Sequence, residues 1–507
     1  MSDMQAARLL HSAIATLEAA VVPELSRDDS KIALDLVIRV LGMLRSRFST
    51  GEEGLEKLLA ATRKVLAEDD VSGLAAVPSD VTKLSPLQRL ESERKAVEQK
   101  LSELIPQLVA EAGQKKQPAG QASKVLQQIV HDQRDYLALQ DPDILKGIAV
   151  VYQAGRIYRD QKDQPPAKPV FDDDSVGNYL RKKFPDAEGV SASGVKVLTG
   201  GFSKVTVLFT KNEKGAPAAN LVLRRDLPVP FMKKAVLDEF PLLQRLHRAG
   251  VRVAEPCWTE SDNGVFGGAF MVSRCVAGTS NPGEWKQHPG AAKQVAIELA
   301  EVLAQLHGLD LGKLGYGADI AGKSAGQGVA DEIAWWAERY SEWKAAGSYP
   351  LIDIPLAWLQ QNIPQHLYAM PARVVHGDVG FHNLMVDMGK VTALLDWEFS
   401  HFGDPMEDLA FARMFLNQVS AWDDFMTRYL ACGGIAFSAE SERFFNVWTS
   451  VRNSIGTIDA MGRFENTPFD QVELKYAVSG VLSPYIQLDS SALVLKYLSE
   501  NHKGDKS

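Results

Sequence analysis

Apolar residues recur at helical spacing through the first 160 positions. In KIALDLVIRVLGMLRSRF, residues Ile32, Ala33, Leu36, Val37, Val40, Leu44 and Phe48 share one stripe of a 3.6-residue period. In SPLQRLESERKAVEQKLSELIPQLVAEAG the stripe is Leu87, Leu90, Val97, Leu101, Leu104 and Leu108. Ser85 suits its cap, Pro86 its first helical position and Gly113 its stop. Such stripes need partners, so residues 1–160 are expected to form an all-α helical bundle. Nothing in this region has catalytic spacing; His11 and His131 stand alone and suit surface or core roles.

The pattern then changes. DQKDQPPAKPVFDDD is proline-rich and charged, which marks 161–174 as a linker. VKVLTGGFSKVTVLFT alternates with period two on either side of Gly200-Gly201, a hairpin signal. NLVLRRDL reads as a short strand, and GGAFMVSRCVAG as a strand entering a loop. Between them KKAVLDEFPLLQRLHRAG reads as an amphipathic helix, interrupted by Pro241 and ended by Gly250. From about 290 helices dominate. The expected class is α+β, with a small strand-rich lobe at 175–275 and a larger helical lobe at 276–507.

Composition narrows the function. A chain of 507 residues exceeds one ordinary core. With 45% hydrophobic and 23% charged residues it is a folded protein, and a net charge of -9 argues against a broad nucleic-acid surface. Cys257, Cys275 and Cys432 are far apart, which suits neither zinc nor a disulfide framework. No secretory signal or membrane-length apolar run is found, so a cytoplasmic location is expected, with no membrane partner.

The chemistry concentrates in RVVHGDVGFHNLMVDMGKVTALLDWEFSHFGDPMEDLAFARMF, residues 373–415. A short apolar strand enters a loop holding His376, Gly377 and Asp378, Asn383 follows five residues after Asp378, and VTALL then delivers Asp396. Two carboxylates and an amide at strand ends suit phosphoryl transfer, which depends on positioning and charge stabilisation. Asn383 and Asp396 can supply the hard oxygen ligands that Mg2+ prefers, and Asp378 can accept a hydroxyl proton.

These motifs resemble the aminoglycoside phosphotransferase and choline kinase branch of the protein-kinase-like fold. HGDVGFHN matches that family's H-G-D-x-x-x-x-N loop, and LLDWEFSHFGDPMEDLA matches its D-W-E, G-D-P and D-L-A segment. The likeness covers about 175–500. It implies a bilobal kinase-like domain that uses ATP and Mg2+ on a small-molecule hydroxyl acceptor. By that resemblance Asp378 is the catalytic base, His376 braces its loop, and Asn383 and Asp396 are metal ligands. Asp408 would tie the loop to the helix near Pro405, and Glu398 fits the same pattern.

In the small lobe, TGGFSKVT takes the place of the glycine hairpin over the ATP phosphates, with Gly200, Gly201, Phe202 and Ser203 as contacts. Arg224 falls where kinases carry a strand lysine; period two puts it on one face with Val222. Glu239 resembles the glutamate that pairs with this base, and Met271 lies in AFMVSR, the expected hinge against adenine. The ordinary alternative for Arg224 and Glu239 is a surface ion pair.

One motif points elsewhere. GADIAGKS, residues 317–324, fits the phosphate-loop pattern G-x-x-x-x-G-K-[ST]. That mechanism needs a buried strand before the loop and a helix straight after it. HGLDLGKLGY has no β-branched apolar run, and the next helix is expected only near Val329, so the match reads as chance.

The acceptor is less legible. Segments after 410, including VWTSVRNSIGTIDAMGRF, are expected to hold it. They are only mildly acidic and rich in aromatic and aliphatic residues, which disfavours a polycationic antibiotic. Details of LVLRR and DWE…GDP resemble a subgroup associated with acyl-CoA dehydrogenases, which implies a hydroxyacyl thioester. Arg452 and Arg463 could meet its carboxylate or phosphate, or simply pack. Alternatives are an aminoglycoside or amino-alcohol kinase, a nucleotide-binding pseudokinase, and a scaffold acting through the bundle, through which the chain could also self-associate.

Overall fold

The computed structural model describes residues 52–65, 86–113, 121–141, 171–198, 204–227, 234–344, 349–466 and 474–501, with isolated positions nearer the N-terminus. The chain divides into two compact units. One takes 1–160 with 333–362 and 447–507, the other 161–332 with 363–446. Segments expected within 276–507 therefore group with the N-terminal helices.

The first unit shows why. Helix Pro86–Ala112 buries Val97, Leu101, Ile105, Leu108, Val109 and Ala112, while Leu90 and Leu104 of the expected stripe stay half-buried. Ile105 completes the face, because a 3.6-residue period drifts from a strict i+4 row. Helix Gln121–Gln140 packs beside it through Val125, Leu126 and Ile129. Helix Pro350–Gln361 is buried along its first ten residues, so it is apolar on all sides and needs neighbours all round. Gln361 Nε2 donates to Pro106 O at 3.0 Å, and Ser491 Oγ on helix Leu474–Asn501 donates to Leu351 O at 2.7 Å. Tyr485 OH meets Asp141 Oδ2 at 2.7 Å. The stripe at Ile32–Phe48 lies almost wholly outside the described residues.

The second unit contains a five-stranded antiparallel sheet in the order β1-β2-β3-β5-β4, with β1 Ser191–Leu198, β2 Lys204–Glu213, β3 Ala216–Asp226, β4 Pro256–Glu260 and β5 Phe270–Arg274. Register explains its two faces. Val207, Leu223 and Val272 align across three strands and face a core closed by Val176, Tyr179 and Leu180 of helix Asp173–Lys183. Thr206, Arg224 and Met271 align on the next row and face the other way. Helix Asp173–Lys183 starts inside the stretch expected as linker, because Asp172 and Ser175 form a reciprocal capping box. β4 was not expected, since PCWTE is short and does not alternate cleanly.

Helix Val236–Arg248 runs through Pro241 without a break. Its N-terminal turn is instead held by Asp226, whose carboxylate accepts from Val236 N at 3.1–3.2 Å. Beyond the sheet come helix Pro289–Gly308 and two two-stranded ladders, β6 Arg373–Val375 with β9 His401–Gly403, and β7 Leu384–Asp387 with β8 Lys390–Leu394. The loop between β6 and β7 holds His376 to Asn383, and the turn after β8 holds Asp396.

Candidate active site

The loop after β6 is fixed from below by one buried carboxylate. Asp408, on helix Met406–Asn417, is fully buried and accepts from His376 N and Gly377 N, both at 2.8 Å. His307 Nε2 lies 3.1 Å from the same carboxylate, and His307 Nδ1 lies 2.8 Å from Tyr429 OH. Burial alone would raise the Asp408 pKa, but the bond and charge of His307, with His376, hold it below the ordinary value. Gly377 adopts φ 82°, a left-handed conformation that a Cβ would strain.

His376 ties two loops together. Its Nδ1 accepts from Asp378 N at 3.1 Å and its Nε2 donates to Leu395 O at 2.9 Å. Those two contacts fix the Nε2–H tautomer, and burial lowers the pKa, so the ring is neutral. Leu395 precedes Asp396, which sits at φ 66° and ψ 72°, an unusual conformation for a non-glycine residue.

Asp378 is oriented by Asn383, whose Nδ2 donates to Asp378 Oδ2 at 2.8 Å and to Asp378 O at 2.9 Å. Both amide hydrogens are thereby used, which leaves Asn383 Oδ1 as the group available to a cation. His382 Nε2 lies 3.5 Å from Asp378 Oδ2. Around it stand aromatic rings: Phe381 lies 5.0 Å from Trp285 and 5.6 Å from Phe415.

The sheet supplies the cations. Arg224 Nη1 meets Glu239 Oε2 at 3.1 Å and Arg224 Nη2 meets Asp396 Oδ1 at 2.7 Å. Glu239 is fully buried, so this is not a surface pair. Burial acts to lower the Arg224 pKa, but Glu239 and Asp396 outweigh it and raise it. Met271 is buried in β5 on the Arg224 row. Gly200, Gly201, Phe202 and Ser203 lie outside the described residues.

Several contributors went unnoticed in the sequence. Lys204 opens β2, with its Nζ 3.0 Å from Glu239 Oε1 and 3.3 Å from Glu398 Oε2. Its register partner is Asp226, which places it on the Arg224 face. His307 and Tyr429 carry no local signal, because their partner lies more than a hundred residues away for His307–Asp408.

The donor set fits magnesium better than a metal that needs an all-protein cage. Among the described residues no three His, Cys, Asp or Glu side chains converge on one point. Magnesium keeps water and phosphate oxygens and takes only one or two protein oxygens, which Asp396 and Asn383 can provide.

The GADIAGKS segment is otherwise employed. Ala318–Ala321 forms a short helix inside the motif, and the amides of Ala321, Gly322 and Lys323 bond to Gly317, Ala318 and Ile320 carbonyls. These are the groups a phosphate loop must aim at its ligand. Lys323 Nζ meets Asp331 at 2.7 Å. A helix does begin at once, at Ala325 rather than near Val329, capped through Ser324 and Gln327. No strand precedes the motif: Leu311–Gly315 is a run of turns. Arg452, expected as a possible acceptor contact, is buried in the first unit. The side chain of Arg463 lies outside the described residues.

Residues 194–444 match the model of the phosphotransferase enzyme family. Acyl-CoA dehydrogenase family member 11 of Gallus gallus is 29% identical over 303 residues, 54% of this chain and 38% of that protein. Its Rattus norvegicus counterpart is 31% identical over 259 residues, 48% of this chain and 31% of that protein. The chain thus spans about a third of the length of these relatives. Among solved structures, a thermostable mutant of aminoglycoside phosphotransferase APH(4)-Ia, in complex with AMP-PNP and hygromycin B, is similar at 18% identity and TM-score 0.42, covering 62% of this chain and 98% of that one.

Proposed function

We propose that the chain, whose residues 194–444 match the phosphotransferase enzyme family, is a small-molecule kinase that transfers the terminal phosphate of ATP, with Mg2+, to the hydroxyl of a hydroxyacyl thioester. The observation that carries the reading is a chain of contacts between distant segments: Asp378, oriented by Asn383 at 2.8 Å, is tied through His376 to Leu395 beside Asp396, and Arg224 reaches Asp396 from the sheet at 2.7 Å.

Each group has a distinct task. Asp378 orients the acceptor hydroxyl and takes its proton, a contribution of about 10²–10⁴-fold. Asn383 keeps the Asp378 carboxylate in place while its own oxygen, with Asp396, holds magnesium. Bound there, magnesium supplies positive charge against the phosphate oxygens. Arg224, steadied by Glu239, contributes a planar fork suited to phosphate. His376 keeps the two loops in register without carrying charge. Met271, on the Arg224 row of β5, would border the adenine side.

The acceptor class rests on two supports. Phe415 lies 6.0 Å from the His382 ring, whose Nε2 is 3.5 Å from Asp378 Oδ2, and it packs on the buried rings of Phe381 and Phe411, so the flank of the loop is apolar and suits an acyl segment better than a polycation. The relatives carry the name acyl-CoA dehydrogenase family member 11. Transfer of labelled phosphate from ATP to hydroxyacyl-CoAs, amino alcohols, sugars and aminoglycosides tests the reading. Selective labelling of the hydroxyacyl-CoAs is expected; selective labelling of an aminoglycoside would overturn the acceptor assignment.

A further inference from the structure

Lys204 stands at a junction of charges. Its side chain is 4% exposed, and its ammonium lies 3.0 Å from Glu239 Oε1, 3.3 Å from Glu398 Oε2 and 3.6 Å from Asp226 Oδ1. It also donates to the carbonyl of Lys234 at 3.1 Å. Four carboxylates, those of Asp226, Glu239, Asp396 and Glu398, surround two cations, Lys204 and Arg224. Glu239 is shared between both, one oxygen to each.

We propose that Lys204 is a positioning residue for nucleotide binding: it neutralises Glu239 and holds Glu398 away from Asp396, so that Arg224 stays directed at the phosphate and metal side. The inference rests on the kinase reading above. Burying a carboxylate without a partner is strongly unfavourable, so Glu239 and Glu398 must take a cation from whatever is near. With Lys204 present, that demand is met from β2 and Arg224 can keep one nitrogen on Asp396. Without it, the whole Glu239 carboxylate is left to Arg224, and the arginine fork is drawn from Asp396. Lys204 begins β2, while Glu398 lies two residues after Asp396. The Lys204–Glu398 pair thereby links the start of β2 to the turn that presents Asp396.

The test is binding of a non-hydrolysable ATP analogue with magnesium, by calorimetry, to the full chain and to Lys204→Met, Lys204→Arg, Glu398→Gln and the double Lys204→Met/Glu398→Gln, with urea midpoints measured alongside. Lys204→Met is expected to weaken the analogue about tenfold or more, the scale of one charged contact. Lys204→Arg should recover most of that, and the double variant should bind better than Lys204→Met, because one of the carboxylates that Lys204 answers is then neutral. Glu398→Gln keeps Lys204 and serves if Lys204→Met does not fold; it should weaken binding at least threefold. Wild-type affinity in folded Lys204→Met, or in Glu398→Gln, would overturn the inference. A double variant no better than Lys204→Met would also overturn it. Failure of the unaltered chain to bind the analogue would instead sink the kinase reading beneath it.

Discussion

Arg224 and Asp396, 172 residues apart in sequence, meet through an Nη2–Oδ1 contact of 2.7 Å while the other Arg224 nitrogen holds Glu239 at 3.1 Å. The contact joins the sheet to the turn that presents Asp396 through a single planar fork. A lysine carries one ammonium and cannot span both carboxylates in that geometry. Arg224→Lys is therefore expected to weaken nucleotide binding about tenfold while leaving the urea midpoint nearly unchanged. Equilibrium titration with a fluorescent ATP analogue checks this; an unchanged affinity would show that the second nitrogen is dispensable.

Asp408 makes a stability prediction. It is fully buried and accepts two backbone amides and the His307 ring. Asp408→Ala strands His376 N and Gly377 N without acceptors and is expected to cost about 3–5 kcal/mol. The folded fraction and the urea midpoint should fall together. A loss under about 1 kcal/mol would mean that the loop finds other support.

His401 carries a pH dependence. Burial works to lower its pKa, but Glu407, whose Oε2 faces Nε2 at 3.1 Å, and then Glu332 raise it to about 9. An unfolded histidine titrates near ~6.5, so the folded state holds its proton more tightly. The stabilisation is complete below about 6.5 and is lost as pH rises through about 9. Urea midpoints at several pH values across that window should fall in the wild-type chain, and the slope should flatten in Glu407→Gln. Equal slopes would remove the pair from the account.

The phosphate-loop match makes a negative prediction. Lys323 pairs with Asp331 and its loop amides are spent in a short helix. Lys323→Ala is expected to leave ATP-analogue affinity within about twofold, since an exposed pair contributes little. A tenfold loss would reopen GADIAGKS as a nucleotide site.

How much of this was legible in the chain depends on distance. Asp378, Asn383 and Asp396 were readable because a strand, a loop of fixed length and a second strand place them at set offsets. Arg224 and Glu239 were readable through the resemblance to the kinase-like template, with period two adding only that Arg224 shares a face with Val222. Lys204 was passed over because a lysine at a strand start looks solvated until Glu239 and Glu398 are seen around it. The unit boundaries were not legible either. Pro350–Gln361 is apolar on every side, and such a helix says that it is buried but not against what. Helix Val236–Arg248 passed through Pro241 because position six of a helix lacks only one amide partner, and Leu242, Leu243 and Leu246 bury enough surface to hold it.

The central claim is that Asp378 is the base of a phosphotransferase site. The most direct measurement is single-turnover phosphate transfer from magnesium-ATP to a hydroxyacyl-CoA, comparing the wild-type chain with Asp378→Asn, with ATP affinity measured on both. The account predicts a rate lower by at least ~10²-fold in the variant with ATP affinity retained. Equal rates, or loss of ATP binding without a separate loss of transfer, would contradict it.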